Sequence, residues 1–72
     1  MDEKEIFELI IKADERLKYA TQDKAAARRE QARGFLTQAR DEATAIGNAN
    51  LAQQAERRLA DLDQLGSTEG DA

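Results

Sequence analysis

The sequence predicts an all-α protein, an antiparallel three-helix bundle with a disordered C-terminal tail. Three observations carry that prediction. Ala, Leu, Glu, Arg, Lys and Gln dominate the chain, and these are strong helix formers, while Val and Pro are absent. Apolar residues recur every three or four positions along three stretches. Glycine follows the second and third of them, at Gly47 and Gly66.

The first helix is expected from about Glu3 to Ala20. Asp2 and Glu5 have capping-box spacing, and the acidic first turn suits the helix dipole. Ile6, Ile10, Ala13, Leu17 and Ala20 form its seam. Phe7 and Ile11 widen that seam on one side and Leu9 flanks it on the other, so the start of the helix is apolar over much of its circumference. It is therefore either the most buried element or the one that meets a partner. Glu8–Lys12 and Asp14–Lys18 have the spacing of helix-supporting ion pairs.

Thr21-Gln22-Asp23 is the expected break, with Thr21 as an N-cap. No glycine or proline marks it, which leaves one continuous long helix as the alternative. The second helix is expected from about Gln22 to Ile46. Its seam runs through Ala25, Ala32, Phe35 or Leu36, Ala39, Ala43 and Ile46. Alanines at these positions let neighbouring helices approach closely. Gly34 is either an exposed, tolerated glycine or the mark of a close crossing or kink. Gly47 suits the left-handed position after a helix, and Asn48 or Asn50 can cap the next. The third helix is expected from about Ala49 to Leu65, with Leu51, Ala55, Leu59, Leu62 and Leu65 as its stripe. The chain thus divides into one helical domain, 1–65, and a small polar tail, 66–72.

The stretch from Ala32 to Ala60 resembles part of a tetratricopeptide repeat. Ala32, Leu36 and Ala39 have the small–large–small spacing of that family's second helix, Gly47 lies where such repeats turn, and Leu59-Ala60 is similar to the large–small pair that opens the next repeat. The usual aromatic and proline positions of the family are missing. The three-helix length also resembles domains of the microtubule-interacting-and-transport type. The first resemblance implies a tetratricopeptide-like helical hairpin plus one helix as an alternative fold, and both imply a protein-binding module.

Composition limits what the chain can do. Of 72 residues 40% are apolar, but 14 of these are Ala, leaving 15 larger ones for the core. A thin core of this kind often gains stability by association. Without Cys or His, the Ser–His–Asp and Cys–His nucleophilic systems and thiolate or imidazole metal sites are excluded. The carboxylate pairs Asp14-Glu15, Asp41-Glu42 and Asp61/Asp63 diverge around a helix rather than converge on one ion. The four glycines, at 34, 47, 66 and 70, form no phosphate loop. No catalytic residue, cofactor or metal is expected, and the chain is read as non-enzymatic. The longest apolar run is Leu9-Ile10-Ile11, far short of a membrane span, and the acidic start is unlike a signal peptide. The expectation is a cytoplasmic protein with no membrane partner and no small-molecule substrate.

Charge is unevenly placed. Residues 24–40 carry Lys24, Arg28, Arg29, Arg33 and Arg40 against Glu30, whereas 41–72 carry seven acids and two bases. The five cations are either complementary to acidic neighbours within the bundle or a docking strip for an acidic protein segment. Nucleic acid is disfavoured, since the net charge is −4 and only Phe35 lies among the arginines to stack a base. Tyr19 is read either as packing the end of the bundle or as a partner anchor. Phe7 and Phe35 are both read as core, yet any large residue left outside it marks an interface, for which Ile6, Phe7, Ile10 and Ile11 are the first candidates. The expected function is a protein–protein interaction module that self-associates into a homo-oligomer or docks on a larger partner through apolar helix faces. A small helical nucleic-acid-binding regulator and a structural assembly subunit are the alternatives.

Overall fold

The computed structural model describes residues 1–64 apart from Ala20 and the side chain of Gln22, together with the backbone of the last helix beyond them. Three helices follow in order: α1 (Glu3–Lys18), α2 (Ala25–Ala45) and α3 (Ala49–Asp71), with a 3₁₀ turn over Gln22–Lys24 before α2. No strand occurs among the described residues. The backbone of α3 runs on to Asp71, past the end expected at Leu65, while Ala20, Ala72 and the side chains from Leu65 onward lie outside the described residues.

Local chemistry sets the start of α1 and the link between α2 and α3. The Asp2–Glu5 capping box forms: the Glu5 amide donates to Asp2 Oδ1 at 2.8 Å and the Asp2 amide to Glu5 Oε1 at 3.2 Å. Helices α1 and α2 are separate. Thr21 is extended between them (φ −87°, ψ 163°) and its side chain makes no capping bond; its hydroxyl instead donates to Asp23 Oδ1 at 2.8 Å. The 3₁₀ turn takes the first residues of the expected second helix, so α2 has 21 residues rather than about 25.

The end of α2 is a Schellman motif. The Asn48 amide donates to the Ala43 carbonyl at 2.8 Å, and the Gly47 amide to that of Thr44 at 3.1 Å. Gly47 has φ 73°, a conformation that costs an L-residue about 1–2 kcal/mol. Asn48 also caps α3, accepting from the Leu51 amide on Oδ1 at 3.1 Å. One residue thus ends one helix and starts the next, which turns the chain back within two positions.

Gly34 is exposed, and a Cβ built on it meets no atom within 4 Å. Neither a close crossing nor a steric need explains it. Gly34→Ala should therefore stabilise the protein by about 0.5–1 kcal/mol, and Gly47→Ala should destabilise it by about 1 kcal/mol or more. Urea midpoints of the two variants would check the opposite signs.

The core lies where the predicted seams meet. Ile6, Ile10 and Ala13 of α1, Ala32, Leu36, Ala39 and Ala43 of α2, and Ala55 and Leu62 of α3 are essentially inaccessible, joined by Leu9 and Leu51. Five of these eleven are alanines, so the helices pack closely across α2. Leu36 takes the core position and Phe35 packs half-buried at its edge, as do Leu17 and Leu59. Helices α1 and α3 both pack along α2 and touch each other only sparsely. Ile46, expected in the second seam, is the C-cap residue of α2 and 43% exposed.

Candidate interaction surfaces

The four residues expected to form one apolar contact cluster are divided by the structure. Ile6 and Ile10 are fully buried in the chain's own core, while Phe7 and Ile11 are 46% and 37% exposed. The reason is angular. Phe7 and Ile11 lie about 100° round the helix from Ile6 and Ile10, beyond the arc that α2 covers. They are one turn apart and so share a face. Phe7 therefore does not belong to the core, contrary to expectation. It lines an open hollow of about 530 Å³ with Glu3, Lys4, Asn48, Asn50 and Leu51, between the first turns of α1 and the start of α3. Farther along, Arg58 Nε donates to Asp14 Oδ1 and Oδ2 at 3.0 and 3.2 Å, bridging the same two helices. Asp14 thus pairs across the fold instead of with Lys18. Among the described residues Glu8 and Lys12 form no ion pair either.

The five cations of residues 24–40 do not lie together. At 100° per residue the core seam of α2 separates Lys24 and Arg28, on the α1 side, from Arg29, Arg33 and Arg40, on the α3 side. The second group is engaged within the fold. Arg33 donates to Asp63 Oδ1 at 2.8 Å, and that hydrogen bond raises the guanidinium pKa above its ordinary value. Arg40 pairs with Asp41 at 3.2 Å, and Arg29 also has a contact within the chain. Arg28 donates to Gln31 Oε1 at a long 3.4 Å.

The α1 side holds a cleft that the pattern of α2 alone does not reveal. Lys12, Glu15, Arg16 and Tyr19 of α1 face Arg28 and Phe35 of α2 across a cleft of about 450 Å³. Tyr19 is 70% exposed, so it does not pack the end of the bundle. The Lys18 ammonium sits 5.6 Å from that ring's centroid, within cation–π range. The available signal was the i, i+4 pair Lys12–Arg16 with Tyr19 one turn on, a second basic face outside residues 24–40.

Among the described residues no three His, Cys, Asp or Glu side chains gather where a metal ion could be held. No described helix is long and apolar enough to cross a membrane. The fold and its surfaces define a three-helix all-α domain, compatible with a helical hairpin. The chain matches no family model, no curated protein and no solved structure.

Proposed function

We propose that the chain is a non-enzymatic protein-interaction module that self-associates, or docks on a larger partner, through the Phe7–Ile11 face of α1. The observation that carries this reading is the exposure of two large apolar side chains on one face, next to an open hollow between two helices that barely touch. An apolar helix laid there would cover Phe7 and Ile11 and pack between α1 and α3, as the fourth member of a bundle does. Met1 (44%) and Ile46 (43%) add exposed apolar surface. The tetratricopeptide resemblance supports the same kind of function, and Ala32, Leu36 and Ala39 are buried as that family's packing residues would be.

Sedimentation equilibrium from micromolar to millimolar protein tests self-association. The wild type should form dimers or larger species, and the double variant Phe7→Glu with Ile11→Glu should remain monomeric with unchanged helicity. Both side chains are exposed, so the substitutions place no charge in the core. A wild type that stays monomeric throughout, or a double variant that associates as strongly, would refute self-association by this face.

A further inference from the structure

We propose that the cleft between α1 and α2 binds a short acidic segment of a partner protein, at a surface separate from the Phe7–Ile11 face. Its lining holds three cations, Lys12, Arg16 and Arg28, against one acid, Glu15, in a chain whose net charge is −4. Lys18 adds a fourth cation at the Tyr19 ring. Among the described residues Lys12 and Arg16 have no ion-pair partner, unlike Arg33, Arg40 and Arg58, which are paired within the fold. The electrostatics of α2 point the same way. Its first turn contains Arg28 and no acid, so a cation lies where the helix dipole favours an anion. An incoming carboxylate would relieve that repulsion and meet Arg16 and Lys12 from the other wall.

The rings of Tyr19 and Phe35 give the cleft an apolar side, which suits a peptide with an aliphatic residue among its acids. A polypeptide suits Glu15 better than a nucleic-acid strand does. Backbone amides can donate to that carboxylate, whereas a phosphodiester backbone brings a charge at every residue and no donor. The excess acid elsewhere on the chain also repels a long polyanion.

The probe is a fluorescein-labelled peptide, Glu-Glu-Leu-Glu-Glu, blocked at its C-terminus and titrated with the full chain by fluorescence anisotropy. The all-Gln counterpart and a labelled oligo-deoxythymidine run beside it. Binding should require the glutamates and weaken as salt is raised. Arg16→Glu with Arg28→Glu should weaken it about tenfold or more, and Tyr19→Ala should weaken it without altering the salt dependence. Arg57→Glu, a like change of charge at an exposed position on α3, should reduce it far less. Circular dichroism would verify that each variant keeps its helicity. No binding, equal losses for Arg57→Glu and the cleft variants, or tighter binding of the oligo-deoxythymidine would each overturn the proposal, the last by assigning the cleft to nucleic acid. Loss of the Phe7–Ile11 self-association would leave these results untouched, so the two readings fail independently.

Discussion

Leu36→Ala is expected to lower the stability of this protein by about 2–5 kcal/mol, the usual cost of cutting a fully buried leucine back to its Cβ. Leu36 is inaccessible and stands on α2, the helix against which both α1 and α3 pack. The void it leaves would be felt on both sides. At roughly 0.05–0.15 kcal/mol per residue, a chain of 72 residues has only about 4–11 kcal/mol in all. The substitution would therefore remove a large share of it and lower Tm by roughly 8–40 °C. Phe35→Ala is the comparison. Phenylalanine is the larger residue, but Phe35 lies half-buried at the edge of the core, so its removal should cost less. Thermal unfolding followed by circular dichroism would settle the order. Equal losses, or a larger one for Phe35, would mean that α2 presents a different face to its neighbours.

Ala39→Leu is expected to destabilise by about 1–3 kcal/mol through the opposite fault, too much volume. Ala39 is inaccessible, and with Ala32 and Ala43 it lines the core face of α2. A leucine there must push a neighbouring helix outward or take a strained rotamer. Ala45→Leu, at an exposed position on the same helix, should change stability by less than about 0.5 kcal/mol. Urea midpoints at equal m-values would measure both. A neutral Ala39→Leu would show that the helices are looser at this seam than the buried alanines imply.

Much of the fold can be read from short spans of sequence. Asp2 and Glu5 are three residues apart, and their capping box depends on nothing farther away. Gly47 and Asn48 act within six residues to end α2 and start α3. The separation of α1 from α2 was harder to read, because Thr21 to Lys24 contains neither glycine nor proline; an extended Thr21 and a 3₁₀ turn produce the break. At the surfaces the limits are plainer. Phe7 and Tyr19 are apolar or aromatic beside a seam, and their spacing does not say whether a neighbouring helix reaches them. The basic residues of α2 look like one strip in sequence, yet the structure sends them to two sides of its core face. The partners Asp14–Arg58 and Arg33–Asp63 are 44 and 30 residues apart, so nothing in local spacing pairs them.

The sequence by itself determined that the chain is helical, most of the residues that face inward, the capping box of α1 and the glycine stop of α2. Those features follow from backbone hydrogen bonds and a turn of 100° per residue, both fixed within a few positions. Only the tertiary structure decided how wide an arc of each helix is covered. Because α1 and α3 both lean on α2 and hardly on each other, Phe7 and Ile11 stay outside the core, and Lys12, Arg16, Tyr19 and Arg28 meet across a cleft. Coverage depends on where the other helices stand, and that placement is set by the packing of alanines and leucines distant in sequence.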